Sequence, residues 1–143
     1  MRTLNITCLS LALGLSAFAA SKKVIQPKDF PTGRPYSPGI MVGDTLYVSG
    51  TTGSDIKSGE IPANFEDEVR KTLDNIGMVL KEAGMSFDNA VSVQVYLTDI
   101  GLFQRMNTVY MQYFKEPRPA RTTVQVAKLV GTAKIEITVT AHK

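Results

Sequence analysis

Between Asn64 and Gly84 the apolar residues Phe65, Val69, Leu73, Ile76, Leu80 and Ala83 recur at steps of three and four, with charges between them. That spacing puts them on one stripe of an α-helix, with Asn64 as its cap and Gly84 as its stop. Directly afterwards the period falls to two. Val91, Val93, Val95 and Leu97 alternate with polar neighbours, as in a strand with one buried face. A helix and a strand that each carry a single apolar face must bury them against other layers. This change of period confines the chain to a layered α+β arrangement.

The flanking segments extend the pattern. Val24-Ile25 allows a short first strand, and the proline- and glycine-rich stretch from Gln26 to Gly39 favours an extended, turning path. Ile40 to Val42, the pair Gly43-Asp44, and Thr45 to Ser49 read as a β-hairpin. Thr51 to Pro62 reads as a loop. Asp99 is positioned to cap a second helix, with Phe103, Met106, Val109 or Tyr110, Tyr113 and Phe114 on one side. Glu116-Pro117-Arg118-Pro119 ends that helix. Two last strands follow, Thr122 to Leu129 and Lys134 to Ala141, the latter with Ile135, Ile137 and Val139 facing the core. The expected architecture is a mixed β-sheet with two helices packed on one face, forming one domain over residues 20–143. A chain of 143 residues, 43% hydrophobic and 20% charged, can bury such a core.

Residues 1–19 are of a different kind. Met1-Arg2 is a basic start, Leu4 to Leu15 is an apolar run, and Ala17-Phe18-Ala19 offers small residues before a cut. This is the pattern of a secretory signal peptide, too short for a comfortable membrane span; the competing reading is an apolar helix of the fold itself. Cleavage predicts a periplasmic or secreted protein with no membrane association. It also removes Cys8, the one cysteine, and with it thiol nucleophiles and thiolate metal sites. The single histidine, His142, is penultimate, so a serine triad or histidine metal cluster has nothing to use. The net charge of +3 is scattered, with no basic run longer than Lys22-Lys23, which argues against a nucleic-acid partner. No glycine-rich phosphate loop occurs. Chemistry must then run on carboxylate, arginine, hydroxyls, backbone amides and water.

Two charged residues stand out against that background. Arg121 follows Pro119-Ala120 at the start of one late strand, and Glu136 lies between Ile135 and Ile137 on the other. A guanidinium grips a carboxylate through two parallel hydrogen bonds, and a glutamate in a partly dry pocket can hold water or move a proton. Together they describe a site for a small anionic substrate. The bland alternatives are a solvated loop arginine and the outer face of a strand.

At these residues the chain resembles the RidA/YjgF family of imine and enamine deaminases. The landmarks are Pro35-Tyr36-Ser37, Val42 to Gly50, Tyr96-Leu97-Thr98-Asp99 leading to Asn107 and Tyr110, Pro119-Ala120-Arg121, and Ile135-Glu136-Ile137. The resemblance runs from about Val24 to the C-terminus. It implies a chorismate-mutase-like α+β subunit, a homotrimer with clefts between subunits, and cofactor-free hydrolysis of 2-imino and 2-enamine acids such as 2-aminoacrylate. By the same resemblance Arg121 holds the substrate carboxylate and Glu136 orients or activates water. Tyr36 and Ser49, with Gly50 beside them, line the pocket, and the Thr123 backbone meets the substrate near its nitrogen. Asn107 either belongs to that pocket or satisfies nearby backbone. Arg34 and the Arg121-Thr122-Thr123 run depart from the family pattern and bear on substrate identity. Two other functions stay open: a non-catalytic trimer that binds small carboxylates, and an RNA-acting protein.

Overall fold

The computed structural model describes residues 21–143, so the expected signal segment lies outside the described residues. In chain order come β1 (Lys22–Ile25), β2 (Gly39–Val42), β3 (Thr45–Thr52), α1 (Phe65–Glu82), β4 (Ala90–Leu97), α2 (Phe103–Tyr113), β5 (Ala120–Gln125) and β6 (Ile135–His142). Short 3₁₀ turns precede β4 and α2. The six strands form one mixed sheet in the order β1-β2-β3-β6-β4-β5. All neighbours are antiparallel except β4 and β5. The last strand thus lies inside the sheet, and β5 forms an edge.

Helix α1 forms where the 3.6 period predicts it, and its ends are chemically fixed. The Asn64 side chain accepts a hydrogen bond from the Asp67 amide, and Glu66, Asp67 and Glu68 place negative charge at the helix's positive end. At the other end Gly84 adopts φ +68°, a conformation that costs glycine nothing. The Gly84 amide reaches the Lys81 carbonyl at 2.9 Å and the Met85 amide reaches that of Leu80 at 2.9 Å. This is a Schellman closure, sealed by the buried pair Leu80 and Met85.

The apolar stripe of α1 meets Leu46, Val48, Val93, Val95, Leu97, Ile135, Ile137 and Val139, which point from the sheet into one buried cluster with Met106, Val109 and Phe114 of α2. Each such side chain contributes about 1.5–3 kcal/mol by leaving water. Beside the stripe runs a polar line, Glu68, Thr72 and Asn75, at helical spacing and all buried. Glu68 accepts from the amides of Lys134 (2.6 Å) and Ile135 (3.3 Å). Asn75 donates to the carbonyls of Thr52 (3.1 Å) and Ser54 (2.9 Å). The polar line therefore pins the end of β3 and the start of β6 to α1. Those two strand segments border the larger cavity described below.

Three expectations need correction. Val91 is half exposed rather than buried, because a β-bulge between Ala90 and Ser92 turns Ala90 inward in its place. The fifth strand spans Ala120–Gln125, not Thr122–Leu129: its partner β4 ends at Leu97, and the Val126 amide makes the last bond to it. Asp99 caps the 3₁₀ turn Ile100–Leu102 through the Gly101 amide (2.8 Å), and α2 then begins without a side-chain cap.

Candidate active site

Glu136 sits on the sheet face away from the helices. It pairs with Thr52 of β3 and Tyr96 of β4, while its neighbours Ile135 and Ile137 point into the core. Its carboxylate lies over Gly50, where any Cβ would overlap it. The approach is possible because Ser49 and Gly50 form a bulge: Val48 pairs with Val139 and Thr51 with Ile137, leaving two residues of β3 against Thr138 alone. The Ser49 hydroxyl donates to the Ser37 carbonyl at 2.7 Å, and its amide to the Pro38 carbonyl at 3.0 Å. Those bonds hold the Pro35-Tyr36-Ser37 loop against the bulge.

The result is a cavity of about 510 Å³ that brings Tyr36, Ser49, Gly50 and Glu136 together. The sequence reading missed its other walls, which include Phe30, Pro38, Ile56, Asn75 and Val130. Asn75 had a visible signal, being a polar residue one step from the apolar face of an otherwise regular helix. Phe30 and Val130 had none, since both lie in irregular segments. Arg34 also lines this cavity and donates to the Tyr36 hydroxyl at 2.9 Å. Asp55 is chemically occupied there. Its oxygens accept from Lys71 Nζ (2.8 Å) and from the amides of Lys57 and Ser58, and these bonds hold its carboxyl far below the usual range.

Arg121 occupies a second hollow of about 430 Å³, with Asn107 and Tyr110 of α2 and Arg118 and Pro119 of the preceding loop. Strand β5 pairs Arg121 with Val93 and Thr123 with Val95, so both side chains lie on the helix side of the sheet. The guanidinium carbon is 4.5 Å from the Tyr110 ring centre and 5.4 Å from that of Phe103, and Nη1 lies 4.0 Å from Met106 Sδ. Aromatic faces thus hold the cation, and no carboxylate pairs with it among the described residues. Burial raises the Tyr110 phenol above its ordinary value, opposed by the nearby Arg121 charge. The Tyr110 and Thr123 hydroxyls are buried without a hydrogen-bond partner among the described residues. Asn107 makes no side-chain hydrogen bond among the described residues, which leaves its amide available to the hollow.

The two central residues therefore do not meet within one chain. Sequence order makes β5 and β6 successive, but β4 lies between them, and Arg121 and Glu136 face opposite sides of the sheet. Each hollow holds one half of the expected pair, a guanidinium and a carboxylate, neither with an oppositely charged partner within 4.0 Å among the described residues. Among the described residues no cluster of potential metal ligands occurs.

A family profile described as Endoribonuclease L-PSP matches residues 27–143, and the chain belongs to that family. It is 41% identical over 118 residues to the 2-iminobutanoate/2-iminopropanoate deaminase of Bos taurus, covering 81% of this chain and 86% of that one. A RutC family protein of Saccharolobus solfataricus is 47% identical over 110 residues, covering 76% of this chain and 87% of that one. Among solved structures, Escherichia coli TdcF with bound serine superposes with a TM-score of 0.79 at 34% identity, covering 85% of this chain and 98% of that one. These likenesses define an enzyme of the RidA type.

Proposed function

We propose that the protein hydrolyses reactive 2-imino and 2-enamino acids, such as 2-aminoacrylate, to 2-oxoacids and ammonia without a cofactor. The sites would be completed between subunits of a homotrimer. The observation that carries this reading is the separation of Arg121 from Glu136, each in a hollow on opposite sides of one sheet and without an ion-pair partner among the described residues. Neither half is a site by itself, and a neighbouring copy that presents its Arg121 hollow to the Glu136 cavity supplies what is missing. The sheet face without helices offers the surface: Tyr47 is exposed, and Gln94, Tyr96, Thr138 and Thr140 are partly so. The names of the related deaminases and the serine held by TdcF agree with a small carboxylate-bearing substrate.

The chemistry asks little of such a site. An imine carbon is already electrophilic, so orientation and proton handling supply most of the acceleration. Arg121 of one subunit fixes the substrate carboxylate through a two-pronged contact, and the edge strand β5 offers peptide groups near Thr123 to the nitrogen. Glu136 of the next subunit takes a proton from water as the oxygen adds to C2. It returns that proton to nitrogen, giving the neutral carbinolamine, and then carries the hydroxyl proton to nitrogen as the C–N bond breaks and the C2=O bond forms, releasing ammonia and the 2-oxoacid. A 2-enamine first gains a proton at C3 to become the imine. Tyr36 and Ser49 wall the reacting group.

The test is turnover of imines generated in place by an amino-acid oxidase, read as 2-oxoacid formed ahead of a competing trap. The expected result is release well above the spontaneous rate, reduced about a hundredfold by Arg121→Ala. Tight 2-oxoacid binding with no acceleration would replace this reading with the carboxylate-binding trimer. Export is proposed on the basic and apolar start of the chain.

A further inference from the structure

Resting on the deaminase reading, we infer that Arg34 selects substrates with a second acidic group, the imines of dicarboxylic amino acids. Three charged side chains line the Glu136 cavity: Arg34, Asp55 and Glu136. Asp55 is spent, since Lys71 and two backbone amides occupy its oxygens. Glu136 is assigned to water and the leaving nitrogen. Arg34 is left as the one cation of this cavity with no carboxylate within 4.0 Å among the described residues.

Its placement suits recognition. Arg34 donates to the Tyr36 hydroxyl at 2.9 Å, and its guanidinium carbon lies 5.7 Å from that ring's centre. One N–H thus fixes the fork against the aromatic ring, while other donors stay free to meet an anion. The substrate's own carboxylate goes to Arg121 in the other hollow, so an anion at Arg34 must come from the far end of the side chain. Space permits it: about 510 Å³ exceeds several-fold what a three-carbon imino acid fills. Phe30, Pro38 and Ile56 give this cavity an apolar lining that suits the methylenes between the two acid groups.

The experiment compares imines generated in place from glutamate and glutamine, side chains of equal shape that differ in charge. The alanine-derived imine serves as reference, and wild type is set beside Arg34→Gln and Arg34→Glu. Arg34→Gln keeps N–H donors but carries no charge. Wild type should favour the glutamate imine over the glutamine imine by about ten- to hundredfold in kcat/KM. That ratio should collapse towards one in Arg34→Gln and invert in Arg34→Glu. Turnover of the alanine imine with no preference for the acidic one, or a preference that survives Arg34→Gln, would overturn the assignment while leaving deamination intact. No acceleration of any imine would remove the deaminase reading and this inference with it.

Discussion

Two crippled subunits should repair one another if Arg121 and Glu136 act from different chains. Arg121→Ala removes a charge-assisted carboxylate contact of about 3 kcal/mol, enough to slow turnover roughly a hundredfold. Glu136→Gln removes the proton acceptor with little change of shape. In the proposed trimer, every site of either variant alone carries a lesion. In trimers assembled from equal amounts of both, a site is intact when its arginine half comes from a Glu136→Gln subunit and its glutamate half from an Arg121→Ala subunit. Each condition holds for half the draws, so about a quarter of the sites regain both groups. The mixture should then show about a quarter of wild-type turnover, some twenty-five-fold above Arg121→Ala alone. Recovery should peak at equal proportions and vanish at both extremes.

Co-expression with two different affinity tags gives the mixed assemblies, native mass spectrometry their composition, and trapped 2-oxoacid their activity. If both side chains worked from the same chain, every site in every mixture would keep one lesion. Mixed trimers of verified composition without recovered turnover would refute the shared site and leave the opposite facing of Arg121 and Glu136 without a functional meaning.

Other perturbations test the supporting structure. Gly50→Ala puts a methyl group where the Glu136 carboxylate lies, and should cut turnover about tenfold or more while the melting temperature moves by only a few degrees. Glu68→Ala orphans the amides of Lys134 and Ile135 and should cost about 2–4 kcal/mol in chemical denaturation; Glu68→Gln, which can still accept, should cost clearly less. Arg105 grips Glu66 through two 2.7 Å bonds and lowers that carboxyl from 4.5 to about 2. A lowered carboxylate stabilises the fold above its unfolded value, and the gain is lost as pH falls through the folded one. Melting temperature should therefore drop from about pH 4.5 towards 2, less steeply in Glu66→Gln. Mass measurement of protein from the exported fraction should give a chain beginning just after Ala19; an intact Met1 terminus there would reject cleavage.

The legible and illegible parts of this chain separate by the range of the forces involved. Helix α1 was readable to the residue at its cap and its stop, because Asn64 and Gly84 act on amides and carbonyls within a few residues of themselves. The alternation of β6 likewise predicted Ile135, Ile137 and Val139 as core. What the period could not show was a one-residue offset imposed from outside. The bulge at Ala90 to Ser92 exposes Val91, and the bulge at Ser49-Gly50 aims the loop and Gly50 at Glu136; both are fixed by pairing with β6, distant in sequence. Strand order is a longer-range fact still. Arg121 and Glu136 were singled out from residue type and a family resemblance, yet their relation depended on β4 sitting between β5 and β6. That insertion puts the guanidinium under α2 and the carboxylate on the uncovered face, turning an apparent pair into two complementary halves. A substrate small enough to touch both at once cannot reach them through a sheet, so the shared site proposed above calls for a second copy of the chain.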